Sequence, residues 1–109
     1  MTALLVLVLA SLALGQKKPK EPTEKSISGI VTDAGGNPVP GAVVQLKNLK
    51  TLQVRSFIAK ETGEYMFMGL PLDADYELKA DSNGKSSPTR TLSSLDSRTE
   101  VKINLQLKN

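Results

Sequence analysis

The closing run "EVKINLQL" constrains this chain most. Val101, Ile103, Leu105 and Leu107 alternate with Lys102, Asn104 and Gln106. A period of two puts every apolar side chain on one face of an extended strand, and that face must be covered by other chain. The same alternation recurs upstream. "SISGIVTD" sets Ile27, Gly29 and Val31 on one face, and "AVVQLKNL" does the same with Ala42, Val44 and Leu46. Further strands are predicted over residues 53–60, 64–68 and 76–80. Between them lie "AGGNPVPG", "KT", "ETG" and "DSNGKSSP", rich in residues that favour turns. After residue 15 no segment sustains a helical period. Short strands separated by regular turn signals predict an all-β antiparallel sandwich. The stretch "KSSPTRTLSSLDSR" is the exception. It has room for one strand near residues 89–92 or none, and Pro88 restricts any strand there to a sheet edge.

The first residues follow another logic. Leu4 to Leu14 is apolar apart from Ser11, 11 residues in all. A bilayer-spanning helix needs about 20. The run fits a cleaved secretory signal over residues 1–15, with the cut after Gly15 and no membrane span afterwards. "QKKPKEPTEK", residues 16–25, reads as a flexible basic, proline-containing linker, and the folded domain is expected over 26–109. The net charge is +3 and the cations are otherwise scattered, so no nucleic-acid partner is expected.

Two motifs give the fold a family resemblance. The first is Gly29-x-Val31-x-Asp33, followed by Pro38 and Gly41-Ala42-x-Val44. The second is Gly63-x-Tyr65-x-Phe67-x-x-Leu70, followed by Tyr76-x-Leu78. In this order they resemble the carboxypeptidase regulatory-like domain, a transthyretin-like β-sandwich of about seven strands related to Cna-B-like modules. The resemblance covers Ile27 to Leu107. It implies a non-catalytic accessory module of the kind found beside peptidases, in surface adhesins and in outer-membrane receptors. This chain departs from the pattern at Lys60-Glu61-Thr62, and at "LPLDAD" before Tyr76.

The chemistry available is narrow. The chain has no histidine and no cysteine. That removes disulfides, thiolate chemistry, the usual zinc ligands and any Ser-His-Asp triad. Serines and lysines are plentiful in loops, where solvation explains them better than a Ser-Lys nucleophile does. No catalytic residue and no cofactor are expected. Asp73 and Asp75, with Asp33 and Asn37, are candidate calcium oxygens, although alternating aspartates also cap turns. Lys25 and Asn104, with Glu77 or Glu64, invite comparison with the Lys–Asn isopeptide bonds of related adhesin sandwiches. The parity of Asn104 directs it to solvent instead.

The rings pose the last question. Tyr65 and Phe67 share a strand face and are predicted in the core. Tyr76 and Leu78 share another, and Tyr76, beside Asp75, is also a candidate for ligand contact. Met66 and Met68 lie opposite Tyr65 and Phe67. They would form an apolar patch for a partner or pack under residues 85–98. The expectation is an exported, non-enzymatic module, periplasmic or extracellular, that meets a protein or glycan at the cell envelope. The rival is a carbohydrate-binding module with a starch-binding-like sandwich fold.

Overall fold

A computed structural model describes residues 23–108. The predicted signal peptide, and the linker as far as residue 22, lie outside the described residues. Among those described, every regular element is a strand. They are β1 (Glu24–Thr32), β2 (Val43–Asn48), β3 (Val54–Ile58), β4 (Glu64–Pro71), β5 (Tyr76–Ser82), β6 (Lys85–Ser86), β7 (Arg90–Leu92), β8 (Glu100–Lys102) and β9 (Leu105–Gln106). Glu24 and Lys25, expected to end the linker, begin β1 instead.

Two sheets face each other. In sheet one β1 is central, antiparallel to β4 on one side and parallel to β8 and β9 on the other. Sheet two runs β3-β2-β5, with β6 and β7 both paired to the far side of β5. The alternation decides what fills the space between. Ile27, Val31, Tyr65, Phe67, Leu70, Val101 and Leu105 point inward from sheet one. Val44, Leu46, Tyr76, Leu78, Ala80 and Leu92 meet them from sheet two. Burying each of the larger side chains contributes about 1.5–3 kcal/mol.

The count of nine exceeds the expected seven or so for local reasons. The closing alternation divides into β8 and β9 because Asn104 interrupts the ladder, its Oδ1 accepting the Ile30 amide at 3.0 Å. The stretch around Pro88 supplies two short pieces at an edge, β6 and β7. Pro88 has no N–H to give, and Ser87 bridges the gap. Its amide donates to the Ala80 carbonyl and its Oγ accepts the Ala80 amide, both at 2.8 Å.

β4 runs three residues further than the alternation predicts. Lys25 pairs with Leu70 but Ile27 pairs with Phe67, so one extra residue is accommodated opposite β1. Gly69 sits there at φ 69°. This bulge resets the parity and turns Leu70 into the core, where it is 2% exposed.

Candidate functional site

The outer face of sheet one is built from the side chains that alternation rejects from the core. Met66 and Met68 stand 45% and 62% exposed, near half-exposed Ile30. They line a groove of about 760 Å³ with Glu24, Ser26, Ser28 and Lys102. Within residues 85–98, strands β6 and β7 pair with β5 of sheet two, and the stretch does not cover the methionines.

The adjoining margin carries two edge strands, β4 of sheet one and β3 of sheet two. The Arg55 side chain crosses between them. Its Nη1 donates to the Met68 carbonyl at 3.0 Å, and its guanidinium lies 5.9 Å from the Phe67 ring centre. Phe57 packs edge-on to Phe67, with centroids 6.2 Å apart. Outside this brace, Val54 and Ile58 remain 54% and 60% exposed.

The aromatic side chains do not form a platform. Tyr65 is buried and its hydroxyl donates to the Ile103 carbonyl. Gly29 makes room for that contact, because a Cβ on it would lie 1.8 Å from the same carbonyl oxygen. Burial raises the Tyr65 pKa well above that of a free phenol. Tyr76 must be corrected as a ligand candidate. It is 1% exposed and its hydroxyl donates to the Pro71 carbonyl at 2.6 Å, so neither ring face is open. Burial, then the charge of Asp73, raises its pKa. Phe67 is buried and Phe57 partly so.

The carboxylates serve turns. Asp73 Oδ2 pairs with Lys50 Nζ at 2.7 Å, while Asp75 Oδ1 accepts the Ser94 amide at 2.6 Å. Lys50 holds the Asp73 carboxyl below the usual range. Asp33 lies at the other end of the sandwich and accepts the amides of Gly35 and Asn37, both at 2.9 Å. The Asn37 amide leads the interactions that lower its pKa. Among the described residues no three Asp, Glu, His or Cys cluster as metal ligands do, and Asp73 and Asp75 turn to different partners. The remaining motif positions are structural. Val31, Ala42, Val44, Leu70 and Leu78 are in the core. Pro38 bridges to Thr32, and Gly41 and Gly63 hold positive φ.

Lys25, named above only for the isopeptide comparison, has a structural role that the sequence did not disclose. It is 2% exposed, and its Nζ donates to the Asp96 carbonyl at 2.7 Å, pinning the loop before β8. Period two extended back from Ile27 would have placed it inward. Asn104 meets β1 at Ile30, five residues and about 16 Å along the strand from Lys25. Glu64 is exposed and accepts the Thr62 hydroxyl at 2.8 Å, and Glu77 is only partly buried. The isopeptide geometry is therefore not assembled.

The sequence profile of the carboxypeptidase regulatory-like domain matches residues 26–108. The chain belongs to that family. No match to a curated protein was found. Among solved structures, this regulatory-like domain is similar to BcpA, the major pilin subunit of Bacillus cereus. The TM-score is 0.60 at 18% identity, over 79% of this chain and 30% of the pilin. A streptococcal ancillary pilin matches at TM-score 0.60 and 18% identity, over 83% and 34% of the two chains. Catechol 1,2-dioxygenase from Acinetobacter sp. ADP1 matches at 0.56 and 14%, over 84% and 55%. The chain thus spans about a third of the pilins' length, and at these identities the likeness is one of fold. The two departures from the family pattern leave the strand order intact. Lys60-Glu61-Thr62 still closes a tight turn, with Gly63 N donating to the Lys60 carbonyl at 2.7 Å. The turn before Tyr76 keeps Ala74 buried.

Proposed function

We propose that this regulatory-like domain is an exported, non-enzymatic module that works by protein binding or structural association at the cell envelope. One observation carries the reading: Met66 and Met68 stand exposed side by side in a groove whose other walls are polar and charged, among them Glu24, Ser26, Ser28 and Lys102. Exposed apolar side chains rimmed by polar and charged ones are characteristic of protein contacts. The absence of histidine and cysteine from the sequence, and the lone, turn-bound carboxylates, leave no acid–base or nucleophilic constellation to argue from. The apolar leader supports export, and two of the structural neighbours are described as pilins. The dioxygenase shares only the fold, which does not transfer an activity. The carbohydrate alternative loses its basis, since stacking on a sugar needs an open ring face and the rings are packed inward.

The test is a photo-crosslinking residue at position 68 in the full chain, with position 79 on the outer face of sheet two as control. A discrete envelope protein captured from 68 and not from 79 is the expected result. No adduct at 68, or a chain retained in the cytoplasm, would overturn the reading.

A further inference from the structure

We propose that two copies of this chain associate through β3, antiparallel about a twofold axis at Ser56. The β2–β3 ladder is bracketed by Asn48 N donating to the Gln53 carbonyl at 2.9 Å and Ala59 N donating to the Ala42 carbonyl at 2.8 Å. Peptide groups alternate in direction along a strand, so odd-numbered residues of β3 face β2. Those of Val54, Ser56 and Ile58 face away. β3 ends its sheet, which leaves these groups at an open edge.

The adjacent edge is partly covered. On β4 the outward carbonyl of Glu64 accepts Lys60 N at 2.9 Å, and that of Met68 accepts Arg55 Nη1. Arg55 thus turns inward to close one margin and leaves its own strand uncovered.

The side chains then select the occupant. With Ser56 opposite Ser56 of a second copy, Val54 falls opposite Ile58 on both sides of the axis, and Arg55 opposite Phe57. Beyond the strand the chain turns away at both ends, at Leu52 with φ 66° and at the Lys60–Gly63 turn, so the paired segment is confined to Val54–Ile58. Three pairs of outward peptide groups meet, each able to exchange two hydrogen bonds. Two apolar pairs cover the outer face, and no like charges oppose each other. Sliding by two residues one way sets Arg55 against Arg55, and the other way sets Val54 against Lys60. The strand is self-complementary in one register, which is what an isologous contact requires.

This inference is independent of the Met66/Met68 groove, and its test separates the two. The full chain is examined by sedimentation equilibrium up to about 1 mM, a ceiling set by the millimolar end of ordinary affinities. The expected result is a monomer–dimer equilibrium that Ser56→Lys weakens at least tenfold and Met68→Ser leaves unchanged. Because the sequence has no cysteine, Ser56→Cys gives a second measurement that does not depend on how Ser56→Lys folds. Under mild oxidant it should form a disulfide dimer well ahead of Lys79→Cys. A chain that stays monomeric throughout, a dimer that survives Ser56→Lys, one abolished by Met68→Ser, or equal crosslinking at 56 and 79 would each overturn the proposal.

Discussion

β3 and β4 lie along one margin of the sandwich, yet they spend their residues in opposite ways. β4 buries Tyr65, Phe67 and Leu70 and has two of its outward carbonyls capped, those of Glu64 and Met68. β3 buries no side chain fully; Phe57 alone is partly covered, and its outer edge is unguarded. One strand is held by the core and the other mainly by its ladder to β2. The difference implies that substitutions in or beneath β4 should act on folding, whereas those on β3 should act on association. The largest effect is expected at Gly29, which pairs with Tyr65 across the β1–β4 ladder. In Gly29→Ala the new methyl would lie 1.8 Å from the Ile103 carbonyl oxygen, which is backbone and also the acceptor for Tyr65. A loss of more than about 4 kcal/mol is expected, enough to prevent accumulation of folded protein. A cooperative melt near that of the parent chain would break the account of how β4 is anchored.

A paired substitution tests the comparison directly. Phe67→Ala empties a buried site in the centre of the core and should cost about 3–5 kcal/mol by denaturant titration. Phe57→Ala removes its edge-on neighbour, which is only partly buried, and should cost about 1–2 kcal/mol. Equal losses would show that β3 is as much a core strand as β4.

That contrast also marks what the sequence made legible. Where one face is buried, the period of two reads directly: Ile27/Val31, Val44/Leu46, Tyr65/Phe67 and Val101/Leu105 all point where alternation puts them. The candidate surface was legible by the same rule, because Met66 and Met68 are the residues that alternation sends outward. Three things were not. The parity reset at Gly69 depends on a bulge, and one glycine does not announce its φ. Lys25 shares the inward parity, but its burial depends on a loop carbonyl 71 residues away. The openness of β3 is a property of the edge: "VRSFI" is as good a central strand as an outer one until the sheet order is known.

The hydroxyl of Tyr65 gives a smaller effect with a defined pH signature. Its pKa is raised in the fold because burial disfavours the phenolate, while in the unfolded chain it is about 10. The neutral buried form is therefore fully stabilising below pH about 10. The benefit is lost as pH rises from there towards the folded value, because the unfolded state releases its proton first. The slope is about 1.4 kcal/mol per pH unit for this group. Tyr65→Phe should lower stability near neutrality by about 1 kcal/mol, through loss of the bond to Ile103. It should also flatten the decline above pH about 10 in urea titrations. An unchanged alkaline slope would mean that Tyr65 is not sealed in the β4 side of the core.

The smallest effects contrast two backbone positions of the same margin. Gly69, in the β4 bulge, and Leu52, before β3, hold nearly the same dihedral, φ 69° and 66°. β4 uses the residue that takes this conformation freely, and β3 does not. A Cβ at Gly69 would meet only the Glu24 carboxylate, at 3.7 Å, so Gly69→Ala carries little steric penalty from neighbours. Its expected cost of about 1 kcal/mol is that of the left-handed conformation itself. Leu52 is 64% exposed, so its side chain gives little packing in return for the same strain. Leu52→Gly should relieve that strain, partly offset by the greater freedom glycine has when unfolded, for a net gain of about 0.5 kcal/mol. Melting curves of the two variants should therefore move in opposite directions. If Leu52→Gly instead lost stability, Leu52 would have to be making contacts in solution that a lone chain does not offer. A second copy paired along β3 would supply them, since Leu52 is exposed just before that strand. Repeating the melt at low and high protein concentration separates the two cases, because strain within one chain is insensitive to dilution and a contact between chains is not.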